Sequence, residues 1–339
     1  MGQTELRKKK DVNTLTEGAP WKLLLLFSLP LMAGNIFQQM YTMVDTAVVG
    51  KVLGVDALAA LGAVDWLNWL TLGIIQGFAQ GFSILMAQKF GAGEYGKLRQ
   101  VITNAIVLAA VCAVSLTLIS EAAVGAVVSL LRTPQEIRPI SMAYLRILFA
   151  GLPVVMVYNL AAAILRALGN GRKPLIAMVI ASLTNIVLDF LFVMGFGWGV
   201  QGAAVATLIA QCFSAAYCIR HIRRIEVLRL GREDWKLEGS LCGRLMTFGL
   251  PMAFQNTVIS VGGMIVQTIV NGFGVTFIAG LTATNKLYGI LEVAATSYGY
   301  AMTTYAGQNL GAGKIRRIRR GMGVGTGIAL ITSVGIMAV

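Results

Sequence analysis

The sequence predicts an all-α polytopic membrane protein: a parallel repeat of six-helix bundles in which nine membrane spans are present and the second bundle is partial. Three observations carry this. Of 339 residues, 56% are hydrophobic and only 13% charged, about half the charge of an ordinary soluble domain (about 25%), and the mean hydropathy is +0.73. The apolar residues gather into runs of the length that crosses a bilayer, about 20 residues. Two short motifs also recur at nearly one spacing. This composition excludes an ordinary soluble enzyme, a disordered chain and a disulfide-stapled secreted domain.

The tail, residues 1–20, is polar and basic. The run that follows is far longer than a signal-peptide core, so it is retained as the first span. The spans read 23–49, 57–86, 101–127, 140–165, 175–195, 201–219, 245–270, 276–306 and 321–339, separated by polar or Gly-rich breaks. Spans 1 to 6 form a first lobe (21–220). A basic linker (221–243) leads to three spans of a second lobe (244–339).

Charge placement sets orientation. The tail and the loops after spans 2, 4, 6 and 8 hold 23 of the 28 Lys and Arg residues; the opposite loops hold Lys51, Arg132 and Arg138. That skew puts the N-terminus in the cytoplasm of a multi-pass protein of the plasma or bacterial inner membrane. The net charge of +13 is therefore met by lipid headgroups, and no nucleic-acid partner is expected. Cys112, Cys212, Cys218 and Cys242 show neither metal nor disulfide spacing and read as small apolar residues.

Phe27-Ser28-Leu29-Pro30 recurs as Phe248-Gly249-Leu250-Pro251, 221 residues on, and Gln88 to Gly93 recurs as Gln308 to Gly313, 220 residues on. Six spans separate the copies, so both enter the membrane in the same sense, a common plan for transporters. A six-span first half implies three further spans beyond Val339. The expectation is a fragment, or a truncation that needs a partner.

The Leu-Pro opening span ending in Val44-Asp45-Thr46, the Gln88–Gly93 stretch, Leu165 to Gly171 before Pro174, and Asn185 to Asp189 together resemble a MATE multidrug exporter over nearly the whole chain. The resemblance implies twelve helices in two lobes around a central cavity, exchange of organic cations for protons or sodium, no cofactor, no enzymatic activity and a monomeric state. A lipid-linked oligosaccharide flippase of the related superfamily shares the architecture but needs a strongly cationic cavity, for which just Lys286 and Arg146 are candidates. A non-transporting remnant is the other alternative.

Ionisable groups inside a bilayer are costly and point to function. Asp45 lies five residues before Gly50, Asp189 six and Asn185 ten before Gly195, Tyr144 six after Arg138, and Thr207 eight after Gly199. All five fall roughly 8–15 Å below the outer edge. Asn185 and Asp189 share a helix face. By resemblance, Asp45, Asn185, Asp189 and Thr207 are the proton or sodium ligands (metal ligands only under sodium coupling), with Tyr144 as their hydrogen-bonding neighbour. Burying two neighbouring carboxylates favours a shared proton or a bound cation; the competing reading is hydrogen-bonded helix glue.

Gln38, two turns before Asp45, Asn159 in span 4 and Glu292 in span 8 are candidate drug contacts. Pro30 would kink span 1, the family's proposed switch. Asp65 and Arg146 read as structural, and Gly73, Gly77 and Gly81 as a close-packing helix face. Gly313-Lys314 is followed by Ile315, so no phosphate-binding loop exists. The single His221 excludes a histidine metal cluster.

Overall fold

The computed structural model describes residues 13–337, except for the side chains of residues 286–288, 290–291 and 336–337. The basic cluster Arg7 to Lys10 and the Lys286 side chain therefore lie outside the described residues. Helix α1 (Pro20–Val52) is followed by α2 (Val55–Ala63) and α3 (Asp65–Gly91), then α4 (Tyr95–Leu130), α5 (Arg138–Ala150), α6 (Leu152–Ala167), α7 (Arg172–Asp189) and α8 (Gly199–Ile222). The linker holds two short 3-10 turns, Glu226–Leu228 and Arg232–Trp235, before α9 (Gly239–Asn271), α10 (Val275–Gly311) and α11 (Ile315–Met337).

Each expected span coincides with one helix, or with two joined end to end. Among the described residues six helices, α1, α3, α4, α7 with its π-helical extension, α8 and α9, are long and apolar enough to cross a membrane, and the bent pair α5–α6 makes a seventh if its two halves count as one span. Over their described residues, α10 and α11 do not reach that mark. α10 carries Lys286 and Glu292, and α11 spends its first turns on Arg316, Arg317, Arg319 and Arg320.

Spans 1, 4 and 7 each carry a proline. α1 runs uninterrupted through Pro30, and α9 through Pro251. The break falls in span 4, where Gly151 separates α5 from α6 at a 49° bend. Pro153 sits in the first turn of α6, where its missing N–H would have had no helical partner anyway.

α3 is the central helix. Ile75, Phe82, Leu85 and Met86 are fully enclosed, and its glycine face meets α9. A Cβ built on Gly77 would stand 2.5 Å from the Ala253 backbone, and one on Gly81 2.5 Å from Gly249 Cα. Only hydrogen at these positions lets two backbones approach so closely, the expected role of this face. The recurring motifs meet reciprocally: a Cβ on Gly91 would fall on the carbonyl of Gln308, and one on Gly311 on that of Gln88. Residue i of one repeat touches j of the other, and j touches i, the signature of a local two-fold axis. The repeat inferred from spacing is thus also a packing symmetry.

Candidate functional site

The site is built by register. α1 and α7 run side by side in the same direction. Gly34 leaves room for Met178, whose Sδ would lie 2.9 Å from an added Cβ. Ser182 Oγ lies 2.8 Å from the Met178 carbonyl and 3.2 Å from that of Phe37, tying the two helices. These pairs are 144 or 145 residues apart, and Asp45 and Asp189 are 144 apart. The same register therefore sets the two carboxylates level, and Asp45 is the charge that acts on Asp189. α8 returns antiparallel along α7, held where Ser214 Oγ donates to Ala177 O at 2.7 Å. About two turns further, Asn185 Nδ2 donates to Thr207 Oγ1 at 3.3 Å. Tyr144 of α5 stands in the field of both Asp45 and Asp189. Four helices thus deliver Asp45, Tyr144, Asn185, Asp189 and Thr207 to one place.

Asp45, Asn185 and Asp189 are 8%, 1% and 0% exposed. Among the described residues, neither carboxylate oxygen of Asp189 accepts a hydrogen bond, and neither does Asn185 Oδ1. A buried acceptor left unpaired costs about 1–3 kcal/mol, more when charged, so these oxygens are set out for a proton or a hard cation. Asp189 closes α7 and is followed by a π-helical turn, Phe190–Gly195, a widening that recurs at functional positions. Beyond it, Val48, Val49, Ala57, Leu61, Val193 and Val200 form an apolar plug, and Phe192 stacks on Trp198 with ring centroids 4.9 Å apart. No group of three or more His, Cys, Asp or Glu that could hold a metal ion occurs among the described residues. The donor set of two carboxylates, an amide and a hydroxyl suits a proton or an alkali cation instead.

On the other side of the carboxylates, the same helix faces continue into a cleft. Gln38 and Tyr41 of α1, Met178 and Ala181 of α7, Gln211 of α8 and Tyr158 of α6 line it. Gln211 Oε1 is buried and accepts no hydrogen bond among the described residues. Tyr41 stands in the field of Asp45 and Asp189, which joins cleft and carboxylates into one continuous site.

Of the candidate drug contacts, Gln38 lines this cleft. Asn159 is not among its lining residues and donates instead to Val155 O of its own helix at 2.9 Å. Glu292 is exposed on α10, apart from that lining. Tyr41, Tyr158 and Gln211 were not singled out from sequence, although two of them carried a signal: Tyr41 is four residues before Asp45, and Gln211 four after Thr207, each on the face of a residue already chosen. Asp65, read as structural, adds its field to Tyr144 and lines a second cleft with Trp66, Gln267 and Thr282. Arg146 is exposed, whereas Tyr144 is half-buried.

The MatE family profile matches residues 30–191 and 251–339. The probable multidrug resistance protein YpnP of Bacillus subtilis (strain 168) is 29% identical over 306 residues, covering 89% of this chain and 68% of that protein. The probable multidrug resistance protein NorM of Thermotoga maritima is 26% identical over 296 residues, covering 86% and 64%. Among solved structures, the MATE multidrug transporter DinF-BH superposes with a TM-score of 0.89 at 24% identity, over 98% of this chain and 75% of that one. The chain thus spans about two thirds of the length of these relatives.

Proposed function

Because the chain belongs to the MatE family of multi-pass membrane transporters, we propose that it carries the ion-coupled half of a drug exporter. In this reading it extrudes amphipathic organic cations in exchange for protons or sodium and performs no enzymatic reaction. The observation that carries the reading is Asp189: fully buried, with both oxygens lacking a hydrogen-bond donor among the described residues, and under the charge of Asp45. Two buried carboxylates at one level do not stay ionised together without a counter-ion. A proton on either one, or a sodium ion taken by Asp45, Asp189, Asn185 Oδ1 and Thr207 Oγ1, relieves the repulsion. Arrival and departure of that ion change how α1 and α7 pack, since these residues sit on their shared seam.

The face that carries the N-terminal segment and the linker is, in this reading, cytoplasmic, as the skew of Lys and Arg implies. The cleft beside the carboxylates takes the substrate. Its described lining of two glutamines, two tyrosines, a methionine and an alanine offers aromatic faces to a cation and no Lys or Arg to a pyrophosphate, which favours a cationic drug over a lipid-linked sugar. As it stands the cleft is far smaller than a typical ligand pocket of roughly 300–1,000 Å3, so a drug enters as the lobes part. Coupling follows if ion and drug favour opposite states of the site. One charge moving inward down about 100 mV supplies about 2.3 kcal/mol, enough to sustain roughly a 50-fold drug gradient.

The test is dye efflux from cells expressing the chain, with and without Asp189→Asn, at matched membrane abundance. The chain is expected to lower dye retention several-fold and the variant to abolish that effect. Efflux that survives the substitution removes the proposed coupling.

A further inference from the structure

The segments that lead into the two lobes are counterparts. Asn13-Thr14-Leu15-Thr16-Glu17-Gly18 precedes span 1, and Asp234-Trp235-Lys236-Leu237-Glu238-Gly239 precedes span 7, 221 residues on, the same offset as the Leu-Pro motif. Each is gripped by the opposite lobe. In the first, Leu15 N donates to Gln308 Oε1 at 2.8 Å, Asn309 Nδ2 donates to Leu15 O at 3.1 Å, Lys314 Nζ to Thr16 O at 3.1 Å and Arg317 Nη1 to Gly18 O at 2.9 Å. Its other end is fastened to the first lobe, Asn13 N donating to Leu168 O at 3.1 Å. Gly169 adopts φ +75°, and a Cβ there would fall on the Asn13 carbonyl. Leu15 and Thr16 are 4% and 3% exposed, so this strip lies inside the seam between the lobes.

In the second, Arg99 Nε donates to the Asp234 carboxylate at 3.1 Å and Thr103 Oγ1 donates to Asp234 O. Asn104 Nδ2 donates to Lys236 O at 3.1 Å and Glu238 N to Asn104 Oδ1 at 3.0 Å. The start of span 7 is thereby tied to span 3 of the first lobe. The second segment is more exposed, with Trp235 and Leu237 outward.

We propose that residues 13–18 and 234–238 are paired, symmetry-related latches that hold the two lobes together on the cytoplasmic face and let go when that face opens. The docking surface for the first latch is the polar cradle Gln308, Asn309, Lys314 and Arg317, and its occupant is this chain's own lead-in segment. The latches rest on the proposed export function in one respect: the face they close is one that opens as the lobes part. An ordinary surface tail would not be enclosed, nor would it exchange backbone hydrogen bonds with side chains nearly 300 residues away.

The test uses accessibility, which needs no drug. Ala87 is enclosed on α3, and a Cβ on Gly307 of α10 would lie 2.8 Å from its own Cβ, so Ala87→Cys reports the seam. In the full chain with its four native cysteines replaced by alanine, maleimide labelling of this position is followed from the cytoplasmic side of inverted vesicles. Lys314→Ala with Arg317→Ala removes two latch hydrogen bonds and is expected to speed labelling about tenfold; Arg99→Ala with Asn104→Ala removes at least three and is expected to speed it at least as much, and the four together more than either pair. Lys314→Arg should leave it slow. Should a double variant fail to fold, Lys314→Ala alone carries the same expectation at smaller size. Labelling unchanged in folded variants overturns the latches, even if dye efflux is normal. Faster labelling in a chain that never exports dye upholds them and refutes the transport reading instead.

Discussion

The crossing of α3 and α9 makes a quantitative demand. In Gly77→Ala the added Cβ would stand 2.5 Å from both N and Cα of Ala253 and 2.8 Å from the Met252 carbonyl carbon. Carbon atoms rest at about 3.5–4.0 Å, so the helices must separate by about 1 Å. The obstacle is backbone and cannot rotate aside. Overpacking of this kind costs about 1–3 kcal/mol. Gly→Ala also favours a helix, by about 1 kcal/mol in a soluble host, so the two effects oppose. Gly262→Ala on α9 isolates the second, because nothing lies within 4 Å of its Cβ position. Gly34→Ala is intermediate: its nearest neighbour, at 2.9 Å, is the sulfur of Met178, the movable part of a flexible side chain. The expected order of stability is Gly262→Ala at or above the wild type, Gly34→Ala slightly below, and Gly77→Ala lowest; the helix gain is common to all, so the spread between the extremes is the overpacking cost, about 1–3 kcal/mol. Thermal midpoints of the purified proteins in one detergent, read by fluorescence-detected size exclusion, give that order directly. If Gly77→Ala melts at or above Gly262→Ala, the close crossing of α3 and α9 is refuted.

Two further predictions concern the ends of the spans. Asn271, at the end of α9, donates to Leu131 O at 2.8 Å and Ala63 O at 3.4 Å and accepts from Gln267 Nε2 at 2.8 Å; Asn271→Ala leaves buried groups without partners and should cost about 1–3 kcal/mol, seen as a lower thermal midpoint, whereas an unchanged midpoint would mean this clasp contributes nothing. Glu94 meets Lys89 at 2.8 Å and Lys97 at 3.1 Å, and these ammonium groups hold its carboxyl below the usual range. What the pairs contribute is present above the unfolded value of about 4.3 and fades as pH falls through the lower folded value, so midpoints of wild type and Glu94→Gln should differ most near neutral pH and converge in acid; parallel profiles would count against the ion pairs.

Much of the architecture was legible because bilayer crossing is a local demand. Any stretch that spans must be apolar over about 20 residues, so helices appear wherever such runs occur, and breaks where Gly and charges gather. The carboxylate level was legible for the same reason, since rise per residue converts position into depth. Azimuth was not. Asn159 and Tyr158 are neighbours in the chain, yet Tyr158 lines the cleft while Asn159 bonds to its own helix, and depth cannot separate them. Tyr41 and Gln211 escaped for another reason: uncharged polar residues in a span serve equally as hydrogen-bonded helix glue, so their spacing from Asp45 and Thr207 was the one signal they carried.

By itself the sequence determined the apolar runs that become helices, the repeat and the common level of Asp45 and Asp189, because hydropathy and helical rise act along the chain. The tertiary structure alone decided which faces meet. Gly34 and Ser182 set the register of α1 on α7, Gly77 and Gly81 bring the lobes to backbone contact, and the lead-in segments cross to the opposite lobe. Those outcomes depend on side-chain shape and hydrogen-bond geometry between residues far apart in sequence, and such distant pairings leave no periodic trace in the residues that make them.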